Sequence, residues 1–130
     1  MAIAAPIETP TEFARFTVAD ATAIPLYTVL KLSGDNTAIA SSGADVFAGI
    51  AWEEKTADDG ITEIVVALNG VWDLTTAATT ITLGGIVSLS GAGLIKQATE
   101  AEMVTGAAFG KALEAASSGE VIRTRVGLLV

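Results

Sequence analysis

The residues best suited to chemistry lie in one stretch, Ala44–Thr75, which contains both tryptophans and a dense acidic loop. In this loop Glu53-Glu54 and Asp58-Asp59 form two carboxylate pairs. Neighbouring carboxylates can separate their pKa values and serve as the acid and base of a glycosidase. Such pairs need a rigid cleft with aromatic sugar platforms, and the chain offers two Trp and one Tyr. We therefore interpret Glu53–Gly60 as a solvated loop.

Other reactive constellations fail on residue type or spacing. The chain has no Cys and no His, which excludes thiol nucleophiles, disulfides, zinc-thiolate sites and histidine bases. Serine nucleophiles lack a base, and Asp58-Asp59-Gly60 lacks the alternating acids of an EF-hand. A looser cation site between subunits stays open. We expect no catalytic residue, no resident metal and no cofactor, so the chain is not an enzyme.

Composition indicates a soluble β protein that avoids nucleic acid and membranes. The 130 residues suit one domain, and 51% are hydrophobic but only 5% aromatic, with frequent glycine. A net charge of −8 opposes binding to a phosphate backbone. The sequence has no run long enough to span a bilayer and no basic secretory region, so we expect synthesis in a cytoplasm.

Alternating apolar residues and glycine turns predict short strands along most of the chain. The predicted strands are Phe13–Val18, Tyr27–Leu32, Thr37–Ala40, Val46–Trp52, Ile61–Leu68, Ile86–Leu89, Leu94–Gln97, Ala107–Leu113 and Glu120–Val130. On the last strand one face is predicted to hold Ile122, Thr124, Val126, Leu128 and Val130, and the other Arg123 and Arg125. One short helix is predicted, because Thr99 and Glu102 form a capping-box pattern before Gly106.

The dipeptide Asn69-Gly70 is the strongest two-residue hairpin signal. A hairpin there would place Val66 opposite Asp73, which mixes polar and apolar residues on a face that should be buried. We therefore predict that Gly70 is a bend or bulge within one long strand, with Trp72 on the same face as Val66.

The two halves of the chain resemble each other, although chance matching is possible in a sequence rich in Ala, Gly and Val. The matched segments are Val29–Gly34 with Ile86–Gly91, Ala48–Ala51 with Phe109–Ala112, and Thr62–Val65 with Gly119–Ile122. A true repeat predicts two similar β units that share one core, as in a small barrel or sandwich. Gly49 and Gly110 would then mark equivalent close approaches of two backbones.

The first 25 residues are predicted to form an extended N-terminal arm and a lead-in strand, and residues 26–130 the β-barrel-like domain. Pro6 and Pro10 favour extended backbone near the start. The arm is either disordered or ordered only against a neighbouring subunit, which Ile3 and Ile7 would contact. The predicted fold is thus all-β, with this arm and at most one short helix.

Three further features have both a functional and a structural interpretation. Trp52 and Trp72 could bind a ligand, although tryptophans at strand spacing more often belong to a core or an interface. Arg123 and Arg125 could hold an anion or a partner carboxylate, although on an alternating strand they more often face solvent. A carbohydrate- or small-ligand-binding β module without catalysis is therefore a second functional hypothesis.

The strand and glycine pattern resembles a known family from about Leu26 onward. The segments concerned are VLKLSGDNTAIA, ADVFAGIAWEE, EIVVALNGVWDL, GGIVSLSGAGLIKQAT and FGKALEAASSGEVIRTRVGLL. Together they resemble the capsid cement, or head decoration, proteins of tailed bacteriophages and prophages. Residues 1–25 lie outside the resemblance.

The resemblance implies a virion structural protein that binds the outer surface of a phage head, commonly as a trimer, and stabilises it. Its partner would be the major capsid protein, and its location the capsid surface. Closed symmetric oligomers allow a small subunit to bury more surface than it could alone. The candidate capsid or inter-subunit contact residues are Ile3, Ile7, Phe13, Trp52, Trp72, Arg123 and Arg125.

Overall fold

The computed structural model describes residues 2–127, which form eleven strands and one short helix. This confirms the predicted all-β class. The strands are β1 Ala5–Glu8, β2 Phe13–Thr17, β3 Val29–Gly34, β4 Thr37–Ala40, β5 Phe47–Ala51, β6 Glu63–Ala67, β7 Gly70–Thr76, β8 Ile86–Gly91, β9 Leu94–Gln97, β10 Gly110–Ala112 and β11 Val121–Val126; the helix α1 is Glu100–Thr105. Leu128 and Val130 of the predicted last strand lie outside the described residues.

The strands close into two five-stranded barrels of the same topology. The first barrel has the order β2-β4-β3-β5-β6, and the second has the order β7-β9-β8-β10-β11. In the first barrel β2 pairs parallel with β4 and antiparallel with β6. In the second barrel β7 pairs in the same way, parallel with β9 and antiparallel with β11. The structure therefore has the two similar β units that the repeat predicted.

Strand register shows how closely the repeat is kept. Leu30 pairs with Gly49 in the first barrel, and Val87 pairs with Gly110 in the second. Residues Val29–Gly34 and Ile86–Gly91 correspond as predicted. The third match is displaced by one residue, because Ile64 corresponds to Ile122 through their pairings in β6 and β11.

The paired glycines mark close backbone contacts, as predicted. A Cβ atom on Gly110 would lie 2.5 Å from the carbonyl oxygen of Arg125. A Cβ atom on Gly49 would collide with the Val66 side chain, and Gly49 also has a φ of +149°. Any larger residue at either position would push β5 or β10 away from its neighbour.

The two barrels share a hydrophobic junction. Leu30 points into the first barrel, whereas its neighbour Val29 points outward and joins the core of the second barrel. Ile50 and Ala67 also project from the outside of the first barrel into this second core. These apolar side chains therefore join the two barrels through a continuous buried surface.

The segment around Gly70 connects the barrels. The strands β6 and β7 belong to different barrels and do not pair, so the rejection of a hairpin was right. The prediction of one long strand was wrong, because Leu68 and Asn69 interrupt it. Gly70 has a φ of +114°, and a Cβ atom there would lie 3.1 Å from Trp72 Nε1. The chain needs glycine to change barrels at this point.

The N-terminal arm folds against its own chain. Strand β1 pairs antiparallel with the first half of β7, whose second half pairs with β9. Ala4 is buried, and Ala2 N donates a hydrogen bond to the carbonyl oxygen of Ala92. Both predicted alternatives, a disordered end and an arm ordered only by a neighbour, were therefore wrong. The cause is the open edge of β7, which the arm satisfies with backbone hydrogen bonds.

The first 25 residues also contribute a strand to the first barrel. Strand β2, which had been grouped with the arm, pairs with β6 along its whole length and closes the first barrel. The helix is as predicted: Thr99 Oγ1 accepts from Glu102 N, the Glu102 carboxylate accepts from Thr99 N, and Gly106 ends it. Local capping signals were sufficient to predict this helix, and Lys96 of β9 also binds the Glu102 carboxylate at 2.7 Å.

Replacement of Gly93 by alanine should release the arm. The new Cβ atom would collide with the carbonyl of Ala2, and the residue would keep a left-handed φ of +76°. Gly119→Ala is the matched control, because its φ is +75° and no heavy atom lies within 4 Å of its Cβ position. We expect the control to lose about 1 kcal/mol of unfolding free energy through the left-handed φ alone.

The Gly93 variant should lose more, and amide hydrogen exchange should become fast in residues 2–8 of that variant alone. Equal stability and equal exchange in the two variants would show that the arm is not held at this contact.

Candidate interaction surface

The acidic loop is organised around a buried lysine. The side chain of Lys55 is fully buried, and its Nζ donates to Asp59 Oδ1 at 2.9 Å, to the Asp20 carbonyl at 2.6 Å and to the Thr56 carbonyl at 2.9 Å. These three acceptors match the three ammonium donors, and Asp20 Oδ1 lies further away at 3.5 Å, so the buried charge is fully paired. Lys55 was not singled out in the sequence, although it is the only basic residue within Glu53–Gly60.

The pairing of Lys55 with Asp59 favours the charged form of both side chains. Burial alone would lower the pKa of Lys55, but its hydrogen bond and charge interaction with Asp59, and then those with Asp20, raise it. The hydrogen bond from Lys55, assisted by the backbone N–H groups of Ile61 and Thr56, lowers the pKa of Asp59 to about 2. Asp59 therefore holds the loop in place and is a poor proton donor near neutral pH.

In the other carboxylate pair, Glu53-Glu54, one side chain is hydrogen-bonded to the backbone. Glu53 Oε1 accepts a hydrogen bond of 2.7 Å from the backbone N–H of Val65. Within residues 2–127, no group of three or more His, Cys, Asp or Glu side chains could hold a metal ion. No helix in the described chain is long and apolar enough to cross a membrane. All residues of Glu53–Gly60 except Lys55 are exposed, as expected of a solvated loop.

An aromatic cluster, defined as Phe13, Tyr27, Trp52 and Trp72, lies where the barrels meet. Ring centroids of Phe13 and Trp52 are 5.6 Å apart, those of Tyr27 and Trp52 5.7 Å, and those of Tyr27 and Trp72 5.6 Å. The two tryptophans meet edge-on at 6.1 Å. These are favourable tilted and edge-to-face geometries. The cluster brings together three residues that the sequence identified as candidates: Phe13, Trp52 and Trp72.

Tyr27 completes this cluster in a strained backbone conformation. Its φ is +66°, which is unusual for an aromatic residue, and the corresponding position of the second barrel is Gly84, with φ +74°. Both residues donate a backbone hydrogen bond to the same strand position, Ala51 or Ala112. The left-handed backbone of Tyr27 costs on the order of 1 kcal/mol of folding free energy, and the packing of its ring against the two tryptophans offsets this strain. Tyr27 was predicted to begin an ordinary strand, and no local pattern in the sequence indicated its place in the cluster.

The candidate contact residues differ in accessibility. Ile3, Ile7 and Phe13 are 43%, 37% and 43% exposed, and Trp52 is half-buried. Trp72 is fully buried, and its Nε1 donates to the Asn69 carbonyl at 3.0 Å. Its side chain presents no surface to a partner, so we no longer include Trp72 among the contact residues.

Arg123 and Arg125 lie apart from the aromatic cluster, on the outer face of β11, and both are exposed. Across the strands Arg123 pairs with Asp73, while Arg125 pairs with Val71 on one side and with Lys111 on the other. Lys111 was not singled out in the sequence, because its neighbour on β11 was unknown. The structure thus adds a third basic residue to this face.

The structure defines a class of fold, a tandem of two closed five-stranded barrels with an N-terminal strand added to the second. This fold is similar to the crystal structure of the head fiber gp8.5 N base in bacteriophage phi29, with a TM-score of 0.51 and 17% sequence identity. The match covers 88% of this chain and 94% of that chain. No protein-family model matches the sequence, and no curated protein matches it. At this identity the likeness establishes the fold alone.

The Lys55–Asp59 pair should make stability depend on acid pH. Because the pKa of Asp59 is about 2 when folded and 3.8 ordinarily, its stabilisation is present above about pH 4 and is lost as the pH falls towards 2. Asp59→Asn should be less stable at pH 7 and should show a shallower loss of stability over that acid range. Chemical unfolding at several pH values measures both effects.

Asp58→Asn is the control, because Asp58 is exposed in the same loop and receives no hydrogen bond from Lys55. It should follow the wild-type pH curve. Glu102, whose burial is outweighed by hydrogen bonds from Lys96 and Thr99 so that its pKa is about 2, contributes a decline that both variants retain. Identical curves for the two variants would show that the clamp does not set acid stability.

Proposed function

We propose that this chain is a structural protein of a phage virion that binds the outer surface of the head and stabilises it, as a decoration or cement protein. The observation that carries the proposal is the extent of the fold match. The match spans 88% of this chain and 94% of the base of a phage head fiber protein, so it includes both barrels of this chain. The strand and glycine pattern of the sequence points independently to the head decoration family.

The chemistry of the chain supports a non-catalytic role. The residues with the strongest claim to acid-base work are used to hold the fold, because Asp59 fixes Lys55 and Glu53 accepts from Val65 N. Because Lys55 and Asp59 hold each other in their charged forms, this pair cannot also exchange protons with a substrate at neutral pH. Binding through a surface is therefore the activity for which the fold is suited.

The proposed head-binding surface is the apolar side of the barrel junction. It comprises Ile3 and Ile7 of the arm and Phe13 beside the half-buried Trp52. The arm reaches the cluster directly, since Ile3 pairs with Thr28 and Ala4 N donates to the Tyr27 carbonyl. A partly exposed aromatic anchor surrounded by apolar side chains is typical of a binding hot spot.

The partner in this proposal is the major capsid protein, and the chain acts as a homo-oligomer, most simply a trimer at three-fold positions of the head. A ring of copies multiplies the contacts with the capsid without adding new ones to any subunit. The virion surface is the corresponding location, reached after synthesis in the host cytoplasm.

Purified protein should bind undecorated heads of its source phage and raise their thermal stability. Phe13→Ser should weaken this binding on the order of tenfold, because it removes an aromatic anchor. Val46→Ser is the matched control, since Val46 is also 43% exposed but lies outside the aromatic cluster. Cosedimentation gives the affinities, and calorimetry of the heads gives the stabilisation.

Two results would contradict the proposal. Wild-type protein that fails to bind any expanded head of its source phage would remove the function. Equal binding by the two variants would leave decoration intact but would move the contact surface away from Phe13.

The alternative function is a carbohydrate- or small-ligand-binding module, and the partly exposed ring pair of Phe13 and Trp52 is what favours it. Sugar rings stack on such faces. A ligand would shield Trp52 from a fluorescence quencher, whereas Trp72 is buried already. Silence on a glycan array, with unchanged quenching of the wild type, would remove this alternative.

A further inference from the structure

The outer face of the second barrel carries a basic wall, defined as Lys111, Arg123 and Arg125. All three side chains are exposed. Lys111 and Arg125 stand directly opposite each other on β10 and β11. Like charges in this cross-strand position destabilise a sheet, so the arrangement needs a cause outside the stability of the barrel.

Lys111 and Arg125 of the basic wall have direct counterparts in the first barrel, Ile50 and Ala67. The cross-strand row Val29–Ile50–Ala67–Phe13 corresponds to the row Ile86–Lys111–Arg125–Val71. In the first barrel this wall is apolar and packs against the core of the second. The same architectural surface is therefore a contact surface in one barrel and an exposed basic surface in the other.

The other lysines of the protein have carboxylate partners. Lys31 lies 3.4 Å from Asp45, Lys55 2.9 Å from Asp59 and Lys96 2.7 Å from Glu102. The basic wall forms no ion pair with a carboxylate of residues 2–127, although Asp73 is the cross-strand neighbour of Arg123 and Glu8 lies two strands from Arg125. Its charges face solvent.

Solubility does not explain the basic wall. A net charge of −8 already favours solubility. Three adjacent cations make the net charge smaller, so they do not add to this effect. The charge is also divided unequally. Residues 1–69 have ten carboxylates and three basic residues, a net charge of −7, whereas residues 70–130 have five and four, a net charge of −1.

The acidity of the first half is concentrated at one end of the first barrel. This acidic end is defined as Glu54, Asp58 and Glu63, which are exposed and form no ion pair with Lys55, whereas Asp20 and Asp59 do. Asp58 N donates to the Asp20 carbonyl, and Glu63 pairs with Thr17 beside this loop. The opposite ends of β2 and β6 hold Phe13 and Ala67, next to the junction. The acidic end and the basic wall are thus separate surfaces of one chain.

We propose that the basic wall binds the acidic end of the first barrel of a second copy of this chain, in a head-to-tail contact. Two different surfaces then meet, so the contact is heterologous and either closes into a ring or extends into a chain of subunits. This inference deepens the proposed homo-oligomer by naming the surfaces that join its subunits. The contact is electrostatic and weakens with added salt.

Sedimentation velocity of the full chain without phage heads tests the contact. We expect association in low salt that weakens in 0.5 M NaCl. Arg125→Glu should raise the dissociation constant about tenfold. Arg15→Glu is the matched control, because it makes the same charge change at an exposed position on β2. Arg15 lies outside the basic wall and beside Glu63 of the acidic end, since Arg15 pairs with Val65 and Thr17 with Glu63, so this variant should associate at least as tightly as the wild type.

A charge exchange distinguishes this contact from a general charge effect. Arg123→Glu/Arg125→Glu and Glu54→Lys/Glu63→Lys should each fail to associate alone but should associate with each other when mixed. A wild type that stays monomeric in low salt, equal effects of Arg125→Glu and Arg15→Glu, or a mixture that does not associate would each overturn the proposal. Circular dichroism confirms that each variant is folded before it is scored.

Head binding is measured separately, so the two proposals can fail independently. A wild type that associates through the basic wall but binds no head would leave this inference intact and remove the decoration function. A wild type that binds heads but does not associate would do the reverse.

Discussion

Three side chains point outward from the first barrel and are nevertheless buried, because they pack into the core of the second barrel: Val29, Ile50 and Ala67. A five-stranded barrel of about sixty residues encloses few side chains, and a domain of that size is marginal alone. Lending one wall to the neighbouring core enlarges the buried volume of both. The stacked rings of Phe47 and Phe109, with centroids 4.0 Å apart, extend this contact across the junction. The two barrels therefore depend on each other for a complete core.

The two barrels share topology and register, and they differ at the positions where each meets its surroundings. Lys55 of the first barrel corresponds to Ala116 of the second, since both form the same two backbone hydrogen bonds, with Ile24 and Ile81 respectively. Tyr27 corresponds to Gly84, and Ile50 to Lys111. In each case the backbone position is conserved between the barrels while the side chain is adapted to a rim, a junction or an exposed face. Specific function in such a tandem lies in these differences and not in the common fold.

Features set by residues close together in the sequence could be predicted, whereas features set by distant residues could not. The capping box of Thr99 and Glu102 is local and was predicted correctly, and the alternation around Gly70 was enough to exclude a hairpin. The arm was misjudged because its partner β7 lies more than sixty residues away, and no local pattern reports an open strand edge. The repeat was found but misplaced by one residue at β11, since the apolar pairs Ile64-Val65 and Val121-Ile122 look alike until their pairing is known.

The candidate surface was predictable in kind but not in depth. Trp52 and Trp72 follow similar strand patterns, yet Trp52 is half-buried and Trp72 has no exposed surface, because Trp72 belongs to the core of the second barrel and Trp52 only packs against that core. Lys55 was hidden by its acidic neighbours, which suggested a solvated loop throughout. Arg123 and Arg125 were assigned to the correct face by alternation alone. Lys111 joined them only when the pairing of β10 with β11 was known.

The position of the arm also governs how the chain can fold as it is made. Strand β1 leaves the ribosome before its partner β7, with Ala5 paired to Asp73, so the arm must wait until the first barrel has emerged. During that interval the apolar wall of Val29, Ile50 and Ala67 has no second core to cover it. A nascent chain that lacks the second barrel would therefore expose both this apolar surface and the unpaired strand β1. Synthesis of the second barrel resolves both at once, which couples the end of translation to the closing of the molecule.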